Sequence, residues 1–314
     1  MESLQSIKSR LKAIKNVGQI TKAMEVVSAT KMRRAQETAL NSRPYALQAL
    51  ALLRKISVNT PLVMPLTETR FVLNTLVVVV TSDKGLAGSF NSQVLRAFEN
   101  FLNTDDYGKN KDHAFHVAAV GKKAHMYALR RKFKLVKSFY GFGDFAKPEE
   151  IGPLSDFIVQ GFVSATWDRV VTISTHFRTT LKQEVLKRQI LPLDLSKIEE
   201  AVGEIIPEHG RYAELGRDLK ASLNGAPIEY IWEPSPEEAL KTLMPHLVKM
   251  QIYHLVLEAN ASEHSARRIA MKAASDNAAE LSGALSLSYN KARQAGITKE
   301  LIEIVSTQTS LSGN

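Results

Sequence analysis

The residues best placed to do chemistry lie in one turn. Thr81-Ser82-Asp83-Lys84-Gly85-Leu86-Ala87-Gly88-Ser89-Phe90-Asn91 follows a run of β-branched residues and precedes an amphipathic segment. In α/β proteins this is where phosphates bind, because the first N–H groups of a helix have no intrahelical partner. Yet Gly85 and Gly88 fit neither G-x-G-x-x-G nor G-x-x-x-x-G-K-[ST], and Gly121-Lys122 lacks the upstream glycine of a phosphate loop. The segment reads as a structural turn in preference to a nucleotide site.

The other candidates are weaker still. The eight histidines are His113, His116, His125, His176, His209, His246, His254 and His264. No H-E-x-x-H and no G-x-S-x-G occurs, and the absence of cysteine removes thiolate catalysis, disulfides and Cys-based zinc sites. No catalytic residue, metal site or cofactor is expected.

Charge is more informative. From Met1 to Val58 eleven Lys/Arg face only Glu2, Glu25 and Glu37, so nearly all of the chain's net charge of +9 lies there. Such a segment is a solvated helix face or meets an acidic protein, nucleic acid or a membrane surface. The Lys31-Met32-Arg33-Arg34 cluster lacks the interleaved aromatics of a single-strand binder and any DNA-reading motif, so a nucleic-acid partner is not expected.

Two long helices must position these charges. Leu4, Ile7, Leu11, Ile14, then Ile20, Met24 and Val27 recur in steps of three and four, with a phase slip at Val17-Gly18. Pro44 is expected to kink or end this helix. From Glu237 a second long pattern runs through Leu240, Leu243, Leu247, Met250, Leu257, Ala261, Ile269, Leu281, Leu285, Tyr289, Ala292 and Ile304, with Pro245 early in it. Its small residues Ala270, Ala273, Ala274, Ser275, Ala278 and Ala279 permit close helix approach.

Between them strands are predicted at 73–80, 113–120 and 169–175, helices at 91–102, 122–131 and 149–165, and an antiparallel strand at 180–191. Thr60 to Arg70 reads as a linker, 228–232 as a short strand and 196–225 as a possible insertion. The expected fold is α+α/β: long N- and C-terminal helices (1–58 and 235–314) forming an antiparallel coiled coil, with a small Rossmann-like α/β domain (59–234) between them. No apolar run approaches the roughly 20 residues needed to span a bilayer.

Specific words then accumulate. Ile20-Thr21-Lys22-Ala23-Met24-Glu25, Lys31-Met32-Arg33, Arg43-Pro44-Tyr45 and Thr81–Asn91 resemble the gamma subunits of F-type ATP synthases. So do Ser262-Glu263-His264-Ser265-Ala266-Arg267, Ala270-Met271-Lys272-Ala273-Ala274, Asp276-Asn277, Tyr289-Asn290-Lys291-Ala292-Arg293-Gln294, Ile297-Thr298 and Glu303-Ile304-Val305. These words touch both ends and the middle of the chain.

The resemblance implies a non-catalytic rotary shaft inside a head of alpha and beta subunits, with the epsilon subunit and the membrane c-ring as further partners. From the absence of a targeting segment in the sequence, a peripheral place on the cytoplasmic face of a bacterial inner membrane is expected. By matched motif, Lys22, Met24, Lys31, Arg33, Arg34, Arg267, Gln294, Thr298 and Glu300 are the expected contacts with the head. Tyr230 and Glu233, in Glu229-Tyr230-Ile231-Trp232-Glu233, are the expected contacts with the ring. The chain departs from the family's usual pattern at Ala87, where cysteine is common, and it lacks the regulatory cysteine pair of plastid members.

Overall fold

A computed structural model describes residues 3–59, 65–105, 112–143, 146–194, 233 and 235–311. Helix α1 (Leu4–Asn59) opens the chain. Then come β1 (Asn74–Val80), α2 (Phe90–Thr104), β2 (Ala114–Val120), α3 (Lys122–Arg130), β3 (Leu135–Phe139), α4 (Pro148–Val163), β4 (Arg169–Phe177), β5 (Gln183–Leu191) and α5 (Pro236–Leu311). Among the described residues no helix is long and apolar enough to cross a membrane.

The five strands form one mixed sheet in the order β3-β2-β1-β4-β5. The first four are parallel and β5 runs antiparallel to β4. Because β1 and β4 are covered on both faces, their sequences read as nearly unbroken apolar runs. One face, with Val77, Val79, Val117 and Ile173, packs on Val94, Phe98 and Phe101 of α2 and Ala124 and Ala128 of α3. The other, with Leu76, Val78, Val120 and Val170, packs on Ile151, Leu154, Ile158 and Phe162 of α4 and on α5 between Leu240 and Ala259. Helices on both faces of a mainly parallel sheet give the expected Rossmann-like domain.

Four expectations change. Strand β3 is absent from the sequence reading: it is five residues long at the sheet edge, with a bulge against β2, so no alternation develops. Of the two outcomes expected at Pro44, ending the helix does not occur, since α1 continues to Asn59, and α5 runs through Pro245 as expected. In the segment read as a linker, Leu66 is buried and its carbonyl accepts the Leu193 N–H at 2.7 Å, which ties it to the domain core. The fourth change is the seam, below. The segment 196–225 and the strand expected at 228–232 lie outside the described residues.

The chain divides into two compact units, Met1–Ser28 with Arg267–Asn314, and Ala29–Ala266. In the first, α1 and α5 lie against each other in opposite chain directions. Its α1 seam is Ile7, Leu11, Ile14, Gly18, Thr21, Glu25 and Ser28, spaced 4-3-4-3-4-3 without the slip inferred from sequence. Ile7, Leu11 and Ile14 are on the expected stripe, whereas Ile20 and Val27 are 59% and 52% exposed and turn away from the seam. On α5 the seam is Met271, Ser275, Ala278, Ser282, Leu285, Tyr289 and Ala292, while Leu281 points outward. Thr21 and Ser28 tolerate burial because their hydroxyls donate within the helix, Thr21 to Val17 O at 3.0 Å and Ser28 to Met24 O at 2.7 Å. Small seam residues bring the helices close, and the seven-residue repeat fixes their register.

Candidate functional site

The Thr81–Asn91 turn is closed by its own side chains. The Asp83 carboxylate accepts the Lys122 N–H at 2.9 Å through Oδ1 and the Gly141 N–H at 3.0 Å through Oδ2. Thr81 Oγ1 accepts the Ala124 N–H at 2.8 Å, and the Ser82 carbonyl accepts the Lys123 N–H at 3.2 Å. The first-turn donors of α3, which would otherwise attract an anion, are thus occupied. Asn91 Oδ1 accepts the Ser82 N–H at 3.0 Å, tying the turn to the first turn of α2. Gly121 has φ +90°, and a Cβ there would fall 2.2 Å from the Thr81 carbonyl oxygen. These contacts join β1, α2 and α3 and act structurally.

The expected head contacts are divided between the two units, and they differ in exposure. In the first unit Lys22 is exposed and ion-paired with Glu25 at 2.9 Å, with Met24 half-buried beside them. Gln294, Thr298 and Glu300 are exposed, and Thr298 Oγ1 donates to the Gln294 carbonyl at 2.9 Å. Arg267, in the same unit, is buried at 8% exposure. In the second unit Arg33 is exposed and ion-paired with Glu37 at 3.1 Å, Arg34 is exposed and Lys31 is half-buried. Glu233 is exposed in a bend, and Tyr230 lies outside the described residues.

Sequence reasoning missed the buried polar groups of the second unit. The His176 Nδ1–H donates to Glu258 Oε2 at 2.9 Å, and Arg188 Nη1 donates to the same oxygen at 3.2 Å. Burial pushes the Glu258 carboxyl up, but the His176 hydrogen bond and the Arg188 charge outweigh it and hold it below the usual carboxylate range. Asp168 accepts the N–H groups of Leu73 and Asn74 at 3.0 and 2.8 Å, starting β1 beside β4. Arg169 pairs with Asp105 at the end of α2. His176 and Glu258 are 82 positions apart, so no local spacing could reveal them.

Among the described residues no cluster of His, Asp and Glu has the makings of a metal site. Among the described residues, exposed apolar side chains recur on the outward faces of the two long helices. These carry exposed Val17, Ile20, Val26 and Val27 on α1, and Ile297, Leu301, Ile302, Ile304 and Val305 on α5. Apolar side chains exposed at this density on a helix are a signature of contact with other chains.

Known proteins share this architecture. The sequence profile of the ATP synthase family matches residues 3–311. The ATP synthase gamma chain of Roseiflexus castenholzii is 38% identical over 315 residues, covering 99% of each chain. That of Trichlorobacter lovleyi is 36% identical over 317 residues, covering all of both. Among solved structures, a chain of the Tetrahymena thermophila mitochondrial ATP synthase central stalk and c-ring superposes with a TM-score of 0.57 at 25% identity, over 82% of this chain and 99% of that one. A chain of the Euglena gracilis mitochondrial ATP synthase matches in fold with a TM-score of 0.63 at 18% identity, over 98% and 94%.

Proposed function

The chain belongs to the ATP synthase gamma family, and we propose that it is the central rotary shaft of an F-type ATP synthase. It couples ion-driven rotation of the membrane ring to ATP synthesis and hydrolysis in the alpha/beta head. The observation that carries this reading is the close-packed pairing of Met1–Ser28 with Arg267–Asn314, in a chain that matches gamma chains from end to end. A shaft needs two helices locked in register and an outer surface that differs around its circumference. The heptad seam supplies the first and the exposed apolar and basic faces the second.

In this reading residues 1–58 and 235–314 build the shaft and 59–234 form the central domain. The ATP chemistry belongs to partner subunits, in keeping with a Thr81–Asn91 turn filled by Asp83 and Asn91. Lys22, Met24, Lys31, Arg33 and Arg34 of α1, and Arg267, Gln294, Thr298 and Glu300 of α5, meet the head. Complementary charge on the facing loops would steer that contact. Tyr230 and Glu233 meet the ring, and epsilon is a further rotor partner. The protein is peripheral, at the cytoplasmic face of the bacterial inner membrane. Shaft angle then selects among conformations that each catalytic subunit already samples, through contacts that differ with angle.

Affinity purification through this chain tests the proposal. It should recover alpha and beta subunits in a complex with ATPase activity, while the chain alone hydrolyses no ATP. Recovery of the chain without them, or salt-dependent DNA binding in their place, would overturn it.

A further inference from the structure

A shaft hands torque to its central domain only if the helix cannot turn against the sheet it lies on. Most of the α5–sheet contact is apolar, through residues such as Leu255, Val256, Leu257 and Ala259. Apolar contact is non-directional, so it resists separation better than it resists rotation or sliding. One stretch of α5 is different. Glu258 and Ser265 are seven residues apart and so share a helix face. Both are turned onto the β4–β5 hairpin, at separate points along it.

At the first point Glu258 takes hydrogen bonds from His176 on β4 and Arg188 on β5, at 2.9 and 3.2 Å. His176 and Glu258 are nearly fully buried, with side chains 4% and 10% exposed. At the second point Ser265 Oγ donates to the Thr180 carbonyl at 2.6 Å and accepts from Gln183 Nε2 at 3.2 Å. Thr180 lies in the hairpin turn, which is closed by the Thr179 N–H donating to the Lys182 carbonyl at 3.0 Å. On another side of the helix, Asn260 Nδ2 donates to the Gly143 carbonyl at 3.0 Å.

We propose that Glu258 and Ser265 form a two-point key that fixes α5 in rotation and translation on the β4–β5 hairpin, making this hairpin the element that passes torque between helix and sheet. The inference rests on the shaft reading and assigns positioning roles to Glu258, His176, Arg188 and Ser265. Its physical basis is a difference in cost. Rotating α5 exchanges one apolar contact for another cheaply, whereas it strips a buried carboxylate of both its partners. Replacing all three members of the Glu258 cluster with apolar residues should therefore preserve packing yet remove the direction-dependent resistance.

The test uses the assembled complex. The chain has no cysteine, so, with any reactive cysteines of the partner subunits removed, Lys123→Cys on the exposed surface of α3 gives a unique attachment point for a gold nanorod. Angular fluctuation of the rod is recorded with the head immobilised and held in one nucleotide state. The variant Glu258→Leu/His176→Leu/Arg188→Met should assemble and unfold at nearly the parent temperature, with an angular variance raised roughly twofold, as befits loss of a coupled network. Parent-like variance in that variant overturns the proposal. Should it fail to assemble, Ser265→Ala removes the second point alone and should raise the variance by a smaller factor; no rise there overturns the proposal equally. A parent complex that never rotates on ATP would sink the shaft reading instead of the key.

Discussion

A Cβ placed on Gly18 would stand 3.4 Å from the Cβ of Ala278 on the facing helix. That distance is ordinary contact for one methyl group and too short for anything longer. Gly18→Ala should stabilise the pair, since alanine is better than glycine in a helix interior by about 1 kcal/mol. Gly18→Leu should separate the helices at a cost of about 1–3 kcal/mol, the usual range for overpacking. Thermal unfolding of the two variants should move in opposite directions. If Gly18→Leu unfolds like the parent, the two helices are not in close contact at this seam position.

Gly121 makes a sharper case. Its φ is +90°, and a Cβ would overlap the Thr81 carbonyl. The Gly121 N–H also donates to the Phe139 carbonyl at 2.8 Å, so the backbone has little room to shift. Gly121→Ala should destabilise the second unit by about 2–4 kcal/mol, from backbone strain plus disruption of the turn. The drop should appear in urea unfolding followed by Trp167 fluorescence in a Trp232→Phe background.

Stability should also fall on mild acidification. His116 is buried against Trp167, its Nε2–H donates to Asn74 Oδ1 at 3.1 Å and its Nδ1 is buried without a partner. Burial lowers its pKa below the ordinary 6.5, and the charges of Lys134 and His113 lower it further. A base lowered by folding takes up its proton more readily unfolded, so the unfolded state gains protons first as pH falls. The stabilisation is complete above 6.5 and drains away below it, toward the lowered folded value. His116→Gln keeps an N–H for Asn74 and should flatten the difference in urea midpoint between about pH 7.5 and about pH 5.5.

How much was legible depends on the range of the interactions. The β1 run Leu76–Val80 announces itself because a strand covered on both faces needs apolar residues at every position. The seam of α1 misled because the conspicuous residues Val17, Ile20 and Val27 are the exposed ones. The seam proper passes through Gly18, Thr21 and Ser28, whose value is small volume, and hydropathy does not register volume. Arg267 is expected from its motif to contact the head, and motif matching says nothing of its burial, which leaves it 8% exposed. The key at Glu258 was invisible because its partners come from β4 and β5. The polar loop Thr81–Asn91 was legible as a turn from its glycines alone, and Asp83 supplies the reason.

Beyond Ala292 every residue of α5 with a described side chain is exposed, including Ile297, Leu301, Ile302, Ile304 and Val305. The fold does not need them, so their apolar surface is available to the head. Truncation after Ala292 should leave the unfolding of the Ala29–Ala266 unit unchanged while weakening assembly with alpha and beta, or lowering the ATP yield per ion. An intact rate of ATP synthesis from a truncated, fully assembled complex would show that the tip has no such role.

Met24 offers the most local test of the shaft's outer face. It is half-buried and flanks the seam, next to the half-buried Glu25 that pairs with Lys22. Its neighbourhood is basic overall, with Lys31, Arg33 and Arg34 following on the same helix. A charge added here is close enough to be felt by any acidic loop within a Debye length, about 8–10 Å at physiological salt. Met24→Lys should over-stabilise contact with such a loop at one shaft angle and so raise the barrier to leaving that angle. The expected signature is impaired ATP-driven ion pumping with ATP hydrolysis reduced far less, partly restored by raising the salt. Met24→Leu, similar in volume and uncharged, should pump like the parent. If Met24→Lys pumps normally at low salt, the residue does not face an acidic partner.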